Sequence, residues 1–334
     1  MIVSDSVFTR AQLRVCRDVI YRNSQSFFLS SLLLPPDVRA CAWAIYGFCR
    51  IADDLIDGQP DRGDLHQSLS RLHSRLDEVY SGRPRTLLDS AFASFVEHYA
   101  LPRSIPDCLL DGFATDVNGV EFADERQLIE YSFKVASTVG LMIVYAMEPE
   151  LKADRKLVLT RACDLGIAMQ LTNIARDMGA DLKNGRVYFP LSWTLRHGFD
   201  LDSVKGGSPR FSQAEALIAR DLIAFSDRHY ASAVEGIELL PSRCRPAISA
   251  ALYVYSAING RIKANEYDSI SSRAVVPLSS KLAMVLKAYL KHAPVNSRPT
   301  SFSPGPSDEI IESFLFRLGL LNSGLVSGRS SLGV

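Results

Sequence analysis

Two stretches of this chain set acidic and amide side chains at helical spacing inside otherwise apolar sequence, and few folds accommodate that combination. In WAIYGFCRIADDLIDG (43–58), Arg50, Asp53, Asp54 and Asp57 fall at i, i+3, i+4 and i+7, one face of an α-helix. Trp43, Ile45, Phe48, Ile51, Leu55 and Ile56 occupy most of the remaining circumference. Such a helix belongs in a core, so its charged stripe must face a polar cavity. In LGIAMQLTNIARDMGADLKNGRVYFP (165–190), Gln170, Asn173, Asp177 and Asp181 fall at i, i+3, i+7 and i+11, again one face. The competing reading, a solvated stripe with salt bridges worth about 0.3–0.5 kcal/mol each, leaves the apolar surroundings unexplained. Clustered carboxylates repel one another when desolvated. Divalent cations relieve that repulsion and bind phosphates. The two rows therefore point to facing helices with metal ions between them and a diphosphate as the ligand.

Spacing alone does not carry this reading. D-x-x-x-D occurs four times, against about two expected by chance from the aspartate content. The pair Asp107/Asp111 follows a proline at a helix start, where acids suit the helix dipole. Context separates the rows that matter. Arg176 lies about 100° from Asp177 around its helix and can address a phosphate from the side, and Lys183 and Arg186 add positive charge nearby.

The rest of the chain reads as all-α. Prolines are sparse, strand-type alternation is nearly absent, and helical stripes recur, as at Leu65, Leu69, Leu72 and Leu76. The folded domain is expected over 1–292, followed by a Pro/Ser-rich flexible linker, 293–308, and a tail, 309–334, with a short amphipathic helix at 309–321. The 37 basic residues balance 37 acidic ones, so nucleic acid is not an expected partner. Six cysteines and six histidines show no transition-metal spacing, and the cysteines read as reduced core residues. The first twenty residues carry Asp5 and Arg10 and lack the apolar core of a secretory signal. The longest uncharged apolar stretches, such as 139–147, fall short of the roughly 20 residues that span a bilayer. A cytoplasmic protein, soluble or membrane-peripheral, is expected.

Four blocks, in order, carry a resemblance: NSQSFFLSSLLLPPDVRACAWAIYGFCRIADDLIDG, YSFKVASTVGLM, the 165–190 segment, and ALYVYSAINGRIKANEYD. From about residue 23 to 290 the chain resembles the squalene/phytoene synthase family, the head-to-head prenyltransferases, and the third block most resembles its bacterial phytoene synthase branch. The resemblance implies a single-domain isoprenoid synthase helical bundle with a central cavity. It also implies prenyl diphosphate substrates, and several Mg2+ (or Mn2+) ions per site. Asp53 and Asp57 match the first aspartate-rich motif, Asp177 and Asp181 the second, and Asn173 a further metal ligand. Arg50, Gln170 and Arg176 match residues that hold diphosphate or position its metals. Asn23, Ser24, Gln25 and Ser26 match a segment touching the substrate diphosphate, although the family often has His at the first of these positions and a basic residue at the third. Tyr46, Tyr131 and Tyr267 match cavity tyrosines, for which core packing is the alternative, and Arg273 matches a phosphate-binding arginine.

The implied reaction joins two allylic diphosphates through a cyclopropyl intermediate to a central triene. No glycine-rich dinucleotide fingerprint is present and no NADPH is expected. The small residues Ser30 and Ser31 favour the C20 donor, geranylgeranyl diphosphate, and hence phytoene. The alternatives are a C30 relative using farnesyl diphosphate and, outside catalysis, a family member acting as an assembly factor. The greasy substrates make peripheral membrane contact an expectation, with Phe314, Leu315, Leu318, Leu320 and Leu321 of the tail as candidates to dock on the domain or a membrane.

Overall fold

Sparse prolines and helical periodicity become, in a computed structural model, a succession of α-helices with no strand among the described residues. Those residues are 7–57, 62–119, 121–147, 151, 153–201, 210–292 and 302–321; the side chains of residues 56, 57 and 62–64 lie outside the description. The helices are α1 (Arg10–Asn23), α2 (Gln25–Ser31), α3 (Pro36–Asp57), α4 (Arg62–Tyr80), α5 (Leu87–Tyr99), α6 (Ser104–Asn118), α7 (Glu125–Ser132), α8 (Thr138–Met147), α9 (Arg155–Lys183), α10 (Leu191–His197), α11 (Gln213–Ile237), α12 (Arg245–Ala264), α13 (Leu278–Lys291) and α14 (Asp308–Arg317). Local chemistry sets several of their starts. Thr9 and Gln12 cap α1 reciprocally, as a capping box. The Thr86 and Asp154 side chains accept from backbone amides opening α5 and α9.

The 29-residue α9 is the central post. It packs along α11 and against α8 and α12, and α3 stands beyond α8. Ile167, Ala168, Leu171 and Ala175 are fully buried on it. Between α7 and α8 the helix widens into a π turn, Phe133–Ser137. There the Ser137 hydroxyl donates to the Cys163 carbonyl at 2.8 Å. The close approach depends on Gly166, where a Cβ would lie 2.6 Å from Ser137 Cα and 2.8 Å from the Ala136 carbonyl carbon. Because those neighbours are backbone, Gly166→Ala is expected to force α9 and the π turn apart and lower stability by about 1–3 kcal/mol in urea denaturation. An unchanged urea midpoint would show that the two elements yield freely.

The continuous helix Glu125–Met147 is longer than the apolar stretch read from sequence. By length and composition it suffices to cross a membrane, but 61% of its apolar window is buried inside the fold, as in a core helix. The six thiols are free, with Cys49 half-buried and the others buried.

The expected domain end near 292 is corrected by the C-terminal segment. Residues 293–301 and 322–334 lie outside the described residues, but 302–321 fold back onto the body. The short helix is Asp308–Arg317 rather than 309–321. It buries Ile311, Phe314 and Leu315, and Phe314 stacks on Phe133 with centroids 4.3 Å apart. Arg161 in α9 donates to Asp308 at 3.0 Å and to the Ser303 carbonyl at 2.6 Å. Arg155 donates to the Leu320 carbonyl at 2.8 Å. Composition signalled a linker here; buried apolar side chains and backbone carbonyls hold it in place instead.

Candidate active site

Gln170, Asn173, Asp177 and Asp181, on successive turns of α9, all line one polar cleft of about 320 Å³. Asp53 of α3 faces them across it, with Asp116 of α6, Tyr131 of α7, and Arg176, Arg186 and Tyr188 completing its charged and aromatic wall. The cleft adjoins an apolar cavity of about 350 Å³. Asp53, Phe113, Val135, Gln170 and Asn173 line both spaces. The apolar walls include Ser30 and Ser31 of α2, Tyr46 of α3, Ala136 of the π turn, Gly140 of α8, and Arg161 of α9. Arg161 stands twelve residues before Asn173, about 18 Å along the helix axis. A charged head group with a long apolar tail matches this pair of spaces in polarity.

The charges in the cleft are arranged around Asp177. Arg176 grips it with two hydrogen bonds, Nε at 2.9 Å and Nη2 at 2.5 Å. Arg273 donates to it from the loop after α12, Nε at 2.6 Å. Burial pushes the Asp177 carboxyl up, but the hydrogen bonds and charges of the two arginines outweigh it and hold the group below the usual carboxylate range. Asp116 accepts from both Tyr131 (3.0 Å) and Tyr188 (2.7 Å). Burial first, and then the charge of Asp116, hold both phenols well above their ordinary range.

The residues expected at the site do not all reach it. Arg50 forms an ion pair with Asp54 rather than pointing into either space, and its Nε is buried with no hydrogen-bond partner. Asp54 itself is exposed. The side chain of Asp57 lies outside the described residues. Among the segment 23–26, Asn23 donates to the Val19 carbonyl and Ser24 caps α2. None of the four lines either space. Tyr267 does not line them either. Helix α12 stops at Ala264, and Tyr267 follows in the left-handed region at φ 64°. The alcohols of Ser30 and Ser31 differ: Ser31 donates to Phe28 and accepts from Trp43, whereas Ser30 Oγ is buried without a partner.

Three residues that sequence reasoning passed over stand at or beside the site. Asp116 sits in the last turn of α6, where an acid opposes the helix dipole, and that was a usable signal. Tyr188 gave none. Tyr255 of α12 packs on Phe27 at 4.8 Å between centroids and hydrogen-bonds with Ser24. Burial pushes its phenol up to about 12.

Among the described residues no three His, Cys, Asp or Glu side chains converge into a closed metal cage. The donor set still suits a hard cation shared with a phosphate. Mg2+ takes one or two carboxylates and completes its shell with substrate oxygens and water. Asn173 Oδ1 is buried in the cleft with no hydrogen-bond partner, an acceptor placed where a cation or its water would satisfy it.

A family model described as squalene/phytoene synthase matches residues 20–280. The chain is 36% identical over 296 residues to a phytoene synthase of Rhodobacter capsulatus, covering 88% of this chain and 86% of the relative. It is 37% identical over 306 residues to a phytoene synthase of Cereibacter sphaeroides, covering 88% and 82%. A crystal structure of a dehydrosqualene synthase in complex with ligand superposes with a TM-score of 0.73 at 26% identity, over 84% of this chain and 97% of that one. A squalene synthase of Alicyclobacillus acidocaldarius shares the fold, with a TM-score of 0.67 at 21% identity over 77% and 95%.

Proposed function

The chain belongs to the squalene/phytoene synthase family, and on that premise we propose that it condenses two geranylgeranyl diphosphates head to head, through a cyclopropyl diphosphate, to phytoene. The observation that carries the reading is the acidic, amide-lined cleft continuous with an apolar cavity, together with relatives named phytoene synthase at 36% and 37% identity over most of the chain.

Asp53, Asn173, Asp177 and Asp181 are the oxygen donors that would hold the metal; Asp57 joins them on sequence spacing alone. Bound Mg2+ or Mn2+ supplies charge neutralisation that makes the diphosphate a good leaving group. Arg176 and Arg273, now on Asp177, and Arg186 beside them supply the guanidinium groups that hold diphosphate oxygens. Gln170 offers an amide at the junction of the two spaces. The apolar walls exclude water from the carbocations formed after ionisation. The faces of Tyr46 and Tyr131 steady positive charge by up to about 2 kcal/mol when desolvated. Burial holds the Tyr46 phenol well above its ordinary range, so it stays neutral at physiological pH. Asp116 fixes the orientation of Tyr131. Tyr267 is given no contact with a reacting carbon. Small side chains at Ser30, Ser31, Ala136 and Gly140 leave room for the longer C20 tail, and no reductant takes part.

A second reading, a C30 enzyme using farnesyl diphosphate, is favoured by the likeness to the dehydrosqualene synthase structure. Incubation of the purified protein with each diphosphate and Mg2+, without NADPH, separates them. Phytoene from geranylgeranyl diphosphate is expected. Turnover of farnesyl but not geranylgeranyl diphosphate overturns the first reading in favour of the second. No turnover of either supports a non-catalytic role.

A further inference from the structure

Among the described tail residues, Ile311, Phe314, Leu315 and Leu320 are buried against the body of the protein, while Phe316 is exposed. A different apolar surface is left uncovered. Helix α13 buries only Ala288. On it Leu278, Leu282, Leu286, Tyr289 and Leu290 are 49–62% exposed, and Val275 just before it is 63% exposed. At about 100° per residue these five helix positions fall within an arc of about 120°, away from the buried Ala288. Lys281 lies about 60° beyond one edge of that arc and Lys287 about 60° beyond the other, with Lys291 further on the same side as Lys287. The helix LSSKLAMVLKAYLK contains no acidic residue. Scattered exposed apolar residues are ordinary, whereas a continuous row marks an interaction site.

The flanking charges decide what covers the row. Lys281 and Lys287 border the two edges of the apolar stripe and the helix itself carries no acid, the pattern of a helix lying in a bilayer interface: the leucines enter the acyl boundary, and the ammonium groups, those of Lys287 and Lys291 lying 5.3 and 6.0 Å from the centroid of the Tyr253 ring, swing out to the headgroups. We propose that α13 is the docking helix by which this protein lies on a bilayer containing anionic lipids. The inference stands on the surface of α13 and not on the reaction assigned to the cleft.

The test uses the full chain and sedimentation with vesicles of phosphatidylcholine plus phosphatidylglycerol, or of phosphatidylcholine alone. Stronger binding to the mixed vesicles, weakened by salt, is expected. A combined Leu282→Gln, Leu286→Gln, Leu290→Gln variant is expected to lose at least about tenfold in partitioning. It should keep its melting temperature and its turnover of detergent-dispersed substrate, because those side chains are exposed and outside the cleft. A Lys287→Glu, Lys291→Glu variant is expected to lose the preference for anionic lipid. Equal binding of wild type and the triple variant overturns the proposal, as does no binding by wild type. A wild-type dimer in solution that the triple variant converts to monomer also overturns it, because a second copy would then cover the face.

Discussion

Replacing Asp177 with asparagine is expected to lower kcat/KM for the prenyl diphosphate by about two to three orders of magnitude, in the range seen when one charge-stabilising group is removed from an active site. Asparagine keeps the size and one oxygen of the side chain but removes the charge. In the wild type that charge gathers Arg176 and Arg273 at one point of the cleft, on the same helix face as Asn173 and Asp181. Without it two guanidinium groups face each other with no anion between them, and one hard donor to the metal is weakened. Because the folded-state carboxyl is held below the usual range, it stays ionised at neutral pH. Its pairing is complete above the unfolded carboxylate value and is lost only as the pH falls through the lowered folded value. Loss of activity just below neutrality therefore does not arise from this group. Steady-state kinetics with product analysis, alongside circular dichroism, measures the effect. A variant within about threefold of wild type in kcat/KM would remove Asp177 from the proposed mechanism.

The second large effect is expected far from the cleft. Asp164 is fully buried and accepts from His229 Nδ1 at 2.8 Å, Arg161 at 3.1 Å and Ser232 at 2.5 Å. Its carboxylate balances the guanidinium of Arg161, itself only 4% exposed. Asp164→Ala leaves that cation buried with only the partly exposed Asp308 to face it. Breaking a buried pair in this way costs about 3–5 kcal/mol. A large fall in the urea midpoint, or insoluble protein, is the expected result. Asp308→Asn keeps the shape of the same network at its wetter edge and should cost about 1 kcal/mol. Equal stability of wild type and Asp164→Ala would show that the cluster contributes little.

The sequence was legible where periodicity and burial agree. The rows on α3 and α9 could be read because their polar positions interrupt helices that must otherwise be buried, and all four members of the α9 row do line the cleft. Reading stopped where a side chain's direction depends on tertiary context. Arg50 shares a face with Asp53 but has Asp54 one turn away to pair with, and i, i+4 spacing cannot choose between partner and cavity. Tyr267 matches a cavity tyrosine by resemblance, yet α12 ends at Ala264 and Tyr267, beyond it at φ 64°, lines neither space. The π turn at Phe133–Ser137 carries no compositional mark, although it sets the position of Val135 and Ala136 on the cavity wall. The docking of the tail was hidden for a related reason. Arg161 and Arg155 reach the carbonyls of Ser303 and Leu320, and a backbone acceptor looks the same in every residue type.

The link between Arg161 and Asp308 also bears on the order in which the molecule is made. The two residues are 147 positions apart. During synthesis from the N-terminus, at about 5–20 residues per second, α9 leaves the ribosome long before residues 303–308 exist. Through that interval Arg161, which lines the apolar cavity with Gly236 and Ile237, lacks Asp308 and the Ser303 carbonyl. The link from Arg161 to the tail is therefore made last, by a contact of very high sequence separation. A nascent chain stalled just short of that contact leaves the Arg161 guanidinium to Asp164 on its own helix.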